Sequence, residues 1–294
     1  MGFFKSLFGG SQSSEDKRKD EDSKNFETLK YDGVRALKQG QFGFAIKCFT
    51  HALDIQEDLE CRDYLSQAYM HADELAPALE QLQLLGEAQP QNTAIFIRMA
   101  EVCYMMEDYD AMAAACEKAM ETDKENPIVL FNYARACNGQ GNPISAIALL
   151  TKAIALKEDF GTARLMRGDL LMKMGDIKGA TEDAEWLEQA AEGNEDVLLL
   201  VARIAEKAGD HDKAIADYGR VIDTDPFCVA AFKERGAIRL AQGDAKGAEE
   251  DMRSVLELDP KMAEGVSGDY SAEGIESKVK AKYRSMDPYG IFSE

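Results

Sequence analysis

Small, apolar and turn-forming residues return at a constant interval along most of this chain. From residue 26 onward, a short polar phrase separates two segments with apolar periodicity, and the whole pattern then repeats. Successive central residues of the phrase are 33 residues apart once and 34 residues apart five times. A fixed period of this length indicates a repeat array rather than separate globular domains. The central residues are Gly40, Asp73, Glu107, Gly141, Gly175, Gly209 and Gly243.

Each repeat predicts two antiparallel amphipathic helices that meet at the polar phrase. A small residue lies seven positions before the central residue, and an alanine lies five positions after it in every repeat except the third, which has Met112; Gly33 and Ala45 are the pair in the first repeat. Helices approach closely only where side chains are small, so these two columns mark the helix crossing within each hairpin. Gly at the centre suits a left-handed residue that ends the first helix, and Pro after Asp225 and Asp259 ends the second.

These residues resemble a known family. The pattern Gly33-x(6)-Gly40-x(4)-Ala45-x(3)-Phe49-x(2)-Ala52 is similar to the consensus of tetratricopeptide repeat proteins, and the last repeat follows it from Gly236 to Pro260. The resemblance covers residues 26–262 and implies an all-α fold. The expected architecture is a right-handed superhelical solenoid of seven helix–turn–helix units with a C-terminal capping helix.

The period also predicts how the chain is divided. Residues 1–25 lack the repeat and are expected to form a disordered N-terminal leader and tether. Residues 26–262 are expected to form the seven-unit solenoid. Residues 263–294 are expected to provide a loop, a capping helix that starts at Ser271, and a C-terminal tail. A stack of repeats needs such a cap, because its last apolar surface would otherwise face water.

Charge and composition limit the partners and the compartment. Lys and Arg total 34 against 54 Asp and Glu, which gives a net charge of −20. Such an acidic chain is a poor ligand for nucleic acid, and it favours protein partners that are basic or mixed in charge. Without a secretory signal, a long apolar run or paired Cys motifs, the sequence is typical of a reducing cytoplasm.

Candidate chemistry is sparse. The three histidines, His51, His71 and His211, have no metal-ligand spacing, and the glycine pairs fit neither a phosphate loop nor a dinucleotide fingerprint. Regular acids on a repeat array usually form a solvated face. We therefore expect no catalytic residues, no metal and no cofactor, and hence a protein that is not an enzyme.

The resemblance implies that the first helix of each repeat lines a concave groove. One row along these helices is apolar in its middle four members, and the neighbouring row alternates in charge. The candidate partner-binding residues are therefore Ile97, Glu101, Phe131, Arg135, Leu165, Asp169, Leu199 and Arg203. Two interpretations stay open: a ladder of salt bridges between repeats, or a peptide site in which apolar contacts combine with arginines that hold carboxylates or carbonyls.

The leading hypothesis is a protein-interaction scaffold or adaptor that binds peptide segments in the groove. The alternative is a chaperone or assembly factor that shields apolar client segments. The carboxylate clamp by which some family members bind Hsp70 and Hsp90 is not expected, because Lys30 is followed four residues later by Val34 and Lys233 by Ala237. Weak membrane-surface contact is expected only through the apolar leader residues Phe3, Phe4, Leu7 and Phe8.

Overall fold

The computed structural model describes residues 14–263, and every regular element in that range is helical. The described residues contain fourteen α-helices, no strand, and a short 3-10 helix at Pro260–Ala263. The expected all-α repeat solenoid is confirmed. The helices are α1 (Ser14–Lys38), α2 (Phe42–Ile55), α3 (Leu59–His71), α4 (Leu75–Ala88), α5 (Thr93–Met105), α6 (Tyr109–Thr122), α7 (Pro127–Gly139), α8 (Pro143–Leu156), α9 (Gly161–Lys173), α10 (Ile177–Ala190), α11 (Glu195–Lys207), α12 (His211–Thr224), α13 (Val229–Ala241) and α14 (Ala245–Leu258).

Consecutive helices pair into seven hairpins, from α1 with α2 to α13 with α14, and each turn falls on a polar phrase of the repeat. The central residue of every phrase has a positive φ, ranging from 57° at Glu107 to 87° at Gly175. This left-handed conformation suits Gly but costs other residue types about 1 kcal/mol or more. The second and third repeats bear that cost at Asp73 and Glu107.

The residue after the left-handed position starts the second helix of several hairpins. The side chains of Asp108, Asp176, Asp210 and Asp244 each accept a hydrogen bond from the backbone N–H three residues later. Such a cap satisfies a first-turn donor and contributes about 1 kcal/mol to helix stability. The recurring Gly-Asp pair therefore ends one helix and begins the next.

The two columns of small residues lie where the paired helices touch. Ala45 on α2 is completely buried, and a Cβ placed on Gly33 of α1 would come within 2.6 Å of the Phe49 ring. A larger residue at either position would force the two helix backbones apart. The crossing predicted from the small-residue columns is the one that the structure shows.

The described chain divides into two compact units, which meet in sequence between Leu156 and Lys157. Unit 1 holds α1 to α8, and its core includes Phe49, which stacks on Tyr64 with ring centroids 5.6 Å apart. Unit 2 holds α9 to α14 and the 3-10 helix, and its largest fully buried side chain is Tyr218. Each unit has its own hydrophobic core.

The beginning of α1 corrects one expectation. A flexible tether was expected through residue 25, yet α1 already begins at Ser14. Residues 18–25 are exposed, and Phe26 is buried. This segment is rich in Lys, Asp and Glu, and charged side chains of opposite sign three or four positions apart support a helix without any burial. Hydrophobic periodicity could not detect it.

Two other expectations fall outside the described residues. These are the apolar leader with Phe3, Phe4, Leu7 and Phe8, and the capping helix expected from Ser271. Among residues 14–263, the helices are too short or too polar to cross a lipid bilayer.

Candidate partner-binding site

The eight residues of the candidate site all lie on first helices of their hairpins, as the repeat pattern predicts. Each is half-buried, so each combines contact with the core and access from solvent. Four belong to unit 1 and four to unit 2, and the two sets are described separately. In unit 1 they are Ile97 and Glu101 on α5 with Phe131 and Arg135 on α7; in unit 2 they are Leu165 and Asp169 on α9 with Leu199 and Arg203 on α11.

In unit 1, the guanidinium of Arg135 lies over an aromatic ring. Its guanidinium carbon is 3.3 Å from the ring centroid of Tyr104 on the preceding first helix, and 5.6 Å from that of Phe131 on its own helix. Its Nη1 donates a hydrogen bond of 3.2 Å to Oδ1 of Asn132. Cation–π stacking of this kind contributes about 0.5–2 kcal/mol and orients the guanidinium plane.

Asn132 is a polar residue in an apolar setting, and sequence reasoning did not select it. Only 2% of its surface is exposed, and its Nδ2 group has no hydrogen-bond partner. A buried donor without a partner costs about 1–3 kcal/mol. Beside Arg135, this amide adds a second donor to the same stretch of α7.

In unit 2, the charged members of the row are held by other charges. Arg203 donates from Nε and Nη2 to the two carboxylate oxygens of Glu234 on α13, at 2.8 Å and 2.7 Å. Asp169 accepts from Lys173, one turn further along α9, at 2.6 Å. A ladder of salt bridges between repeats would pair Asp169 with Arg203. The hydrogen bonds from Arg203 to Glu234 join it to the following repeat.

Buried carboxylates on the second helices form a recurring feature that the sequence analysis did not identify. Asp183 on α10 binds Arg167 through both oxygens, at 2.8 Å and 2.7 Å. Asp251 on α14 binds Arg235 in the same way, at 3.1 Å and 2.6 Å. In both repeats the arginine precedes the aspartate by 16 residues, so the signal was present in the sequence.

The repeat between these two keeps the aspartate without that arginine. Asp217 on α12 is 6% exposed, and Val201 stands 16 residues before it. Arg220 donates to Oδ1 at 3.0 Å, while the buried Oδ2 has no hydrogen-bond partner. The carboxylate is therefore only half satisfied.

The cysteines pack as small apolar residues. All six are buried and free. Burial raises the pKa of the Cys61 and Cys116 thiols to about 12 and that of Cys103 to about 11, so these thiols stay protonated and unreactive at neutral pH.

One group of side chains in unit 2 has the spacing of potential metal ligands. One ligand atom from each of Glu195, Asp225 and Cys228 lies within 4.8 Å of the others. Asp225 accepts from the backbone N–H of Phe227 at 2.9 Å, and burial raises the pKa of the Cys228 thiol. A capping role for the aspartate and a packing role for the cysteine explain the arrangement.

Helical hairpins of constant length, small residues at each crossing and left-handed turns define a helical-repeat protein. A tetratricopeptide repeat family model matches residues 165–225 and 199–263, all in unit 2. This match identifies residues 165–263 as tetratricopeptide repeats, and the hairpins of the other repeats have the same helix–turn–helix geometry.

Known proteins share parts of this pattern. Human DnaJ homolog subfamily C member 3 is 27% identical over 155 residues, which are 48% of this chain and 31% of that protein. The matched stretch thus spans less than a third of the relative's length. A tetratricopeptide repeat protein from Parabacteroides merdae has the same fold with a TM-score of 0.69 at 16% identity, over 88% of this chain and 99% of that one. PilW, described as a type IV pilus biogenesis factor, follows with a TM-score of 0.63 at 17% identity, over 78% of this chain and 97% of PilW.

Proposed function

We propose that this protein is a non-enzymatic interaction scaffold that binds extended peptide segments of partner proteins along the first helices of its repeats. The observation that carries the proposal is the arrangement in unit 1. There, the guanidinium carbon of Arg135 lies 5.6 Å from the ring centroid of half-buried Phe131, and Ile97 is a half-buried apolar residue on the preceding first helix. Apolar contact with an aromatic residue and an oriented arginine is the combination found at binding hot spots.

The contacts of Arg135 favour a ligand that supplies an oxygen. Among the described residues of unit 1, its partners are two aromatic rings and one amide oxygen, so no carboxylate there neutralises it. The Nδ2 group of Asn132 is a second donor nearby without a partner. A backbone carbonyl or a carboxylate of a bound peptide would satisfy the guanidinium of Arg135.

Unit 2 offers a different surface. Its arginine of the same row, Arg203, already holds Glu234, whereas Leu165 and Leu199 are half-buried apolar residues. We expect unit 1 by itself to recognise polar groups of a peptide, and unit 2 by itself to offer mainly apolar contact. With a chain charge of −20, the partner segment is expected to be basic overall, with one oxygen acceptor at Arg135.

The test starts from a random peptide library displayed on phage and selected on the full chain. Synthetic copies of the selected peptides are then measured against Arg135→Glu, and against Arg253→Glu as a matched control, since Arg253 is an exposed arginine on α14. We expect Arg135→Glu to weaken binding by about tenfold or more, which corresponds to about 1.4 kcal/mol, and the control to leave it unchanged. Equal affinity for Arg135→Glu and wild type, together with a lower melting temperature, would leave only a structural role.

A second candidate function is that of a chaperone or assembly factor. It is favoured by the apolar row Ile97, Phe131, Leu165 and Leu199, and by the fold shared with a pilus biogenesis factor. A factor of this kind would slow the aggregation of several unrelated unfolded proteins, and Phe131→Ala and Leu199→Ala would weaken that effect. A specific scaffold would protect none of them.

A further inference from the structure

Unit 2 contains a buried hydroxyl between two carboxylates. Tyr218 on α12 is completely buried, and its Oη lies 2.7 Å from Oε2 of Glu206 on α11 and 2.9 Å from Oε2 of Glu234 on α13. Three helices of two successive repeats therefore meet at one phenol oxygen. Nothing in the binding function proposed above uses this cluster.

With Tyr218 neutral and both glutamates ionised, the cluster has one hydrogen for two short contacts between oxygen atoms. A phenol has a single O–H, so it donates to one of the two carboxylates. The other short contact would then join two acceptors, unless a carboxyl group carries a proton and donates to the phenol oxygen. Oxygen atoms at 2.7 Å and 2.9 Å have the separation of genuine O–H···O hydrogen bonds.

The neighbouring charges identify the carboxyl that holds this proton. Glu234 receives two charge-assisted hydrogen bonds from Arg203, one on each carboxylate oxygen. Burial raises the pKa of Glu206, and the negative charge of Glu234 raises it further; the hydrogen bond from Tyr218 and the positive charges of Lys207 and Arg203 oppose this, and the net shift is upward. The proton therefore belongs to Glu206.

The other helices packed against α11 add little that would ionise Glu206. From α9 and α10, the side chains in the shared core are apolar, among them Met172, Ala184 and Leu187. Asp169 and Lys173, on α9, pair with each other. The groups that act on Glu206 are Tyr218 from α12, Glu234 from α13, and Arg203 and Lys207 from its own helix.

We propose that Glu206, Tyr218, Glu234 and Arg203 form a proton-dependent latch between the sixth and seventh repeats. With a proton on Glu206, the chain of donors runs from Glu206 to Tyr218 to Glu234, and Arg203 completes it. Loss of the proton leaves two carboxylates competing for one hydroxyl. It also gives Arg203 a second anionic partner three residues further along α11, so the link to α13 weakens.

The sign of the pH dependence follows from the upward shift. Below the ordinary glutamate pKa of 4.5, Glu206 is protonated in both the folded and the unfolded chain and contributes no pH dependence. Above that value the unfolded chain releases the proton while the folded chain retains it, so the free energy of unfolding falls as pH rises. The free energy of unfolding stops falling at the pH at which Glu206 also ionises in the folded chain.

The first experiment compares the unfolding equilibrium of wild type and Glu206→Gln in urea between about pH 5 and about pH 9. Gln keeps a donor for the Tyr218 oxygen and cannot ionise. We expect the unfolding equilibrium constant of wild type, relative to the variant, to rise by up to about tenfold per pH unit within the window set by the shift. The matched control Glu185→Gln, an exposed glutamate on α10, should follow wild type at every pH. Parallel curves for wild type and Glu206→Gln would overturn the proposal.

A second measurement uses the unaltered protein, in case Glu206→Gln does not fold. Carbon-13 NMR of labelled glutamate side chains, with the Glu206 signal assigned by its loss in Glu206→Asp, reports ionisation directly. We expect the Glu206 carboxyl to titrate above the ordinary glutamate pKa of 4.5, because burial raises its pKa. A Glu206 midpoint at or below 4.5 would contradict the latch.

Discussion

At the scale of single residues, three aspartates in unit 2 occupy the same repeat position but differ in how well they are paired. Asp183 and Asp251 each bind two arginines, whereas Asp217 has one oxygen without a partner. A buried carboxylate is stabilising only if its partners compensate for lost hydration. This repeat thus has the acid at Asp217, but Val201 stands at the position where the other two repeats have an arginine.

This difference predicts responses of different size to the same substitution. We expect Asp183→Asn to lower the free energy of unfolding by about 3 kcal/mol, because it leaves Arg164 and Arg167 without their buried anion. Asp217→Asn should change it by less than about 1 kcal/mol, since it loses one contact to Arg220 and removes a poorly solvated charge. Urea denaturation of the two variants measures both values. An equal loss in the two would show that the unpaired oxygen is satisfied in solution.

At the scale of the helical hairpin, the turn residue offers a second comparison. Glu107 and Gly141 occupy equivalent turns with φ of 57° and 76°. Glu107→Gly should raise the free energy of unfolding by about 0.5–1 kcal/mol by relieving a left-handed conformation, and Gly141→Ala should lower it by about 1 kcal/mol. Thermal unfolding followed by circular dichroism distinguishes the two. A loss of stability in Glu107→Gly would mean that its side chain contributes more than the conformation costs.

The first hairpin gives a matched pair of glycines. A Cβ on Gly33 would lie 2.6 Å from the Phe49 ring, whereas a Cβ on Gly43 of α2 meets nothing within 4 Å. We expect Gly33→Ala to destabilise by about 1–3 kcal/mol through overpacking of the crossing. Gly43→Ala should stabilise by about 0.5–1 kcal/mol, because Ala favours the helix. The two melting temperatures should move in opposite directions, and a stable Gly33→Ala would show that the crossing can open.

Most helices and turns could be predicted from the sequence, because the spacing of small residues marks where the two helices of a hairpin cross. Gly33, Ala45 and Gly40 were sufficient to place the crossing and the turn of the first repeat. The start of α1 could not be placed in this way, because residues 18–25 bury nothing and leave no periodic signal. The paired contacts of Arg167 and Asp183 could have been found by comparing repeats at fixed positions.

The candidate site was less predictable, since a row of residues does not specify its partners. The alternating charges of the row suggest that Asp169 pairs with Arg203. In the structure Arg203 forms a salt bridge of 2.7 Å with Glu234, which is not a member of that row. The Tyr104 ring that contacts Arg135 also lies on the preceding first helix, but Tyr104 belongs to neither row of candidate residues. Side-chain length and direction decide such contacts, and spacing alone does not encode them.

At the scale of the whole molecule, the net charge of −20 acts on folding and on binding with opposite signs. Salt screens the mutual repulsion of the acidic groups, so the melting temperature should rise between low and physiological ionic strength. The same screening weakens the attraction for a basic peptide. We expect the affinity for a basic peptide selected on the chain to fall about tenfold as ionic strength rises tenfold, and the loss should appear mainly in the association rate. A peptide of the same sequence with Lys replaced by Gln is the control and should show little salt dependence. Binding that instead tightens with salt would indicate that apolar contact along Ile97, Phe131, Leu165 and Leu199 dominates, which favours the client-shielding function over the scaffold.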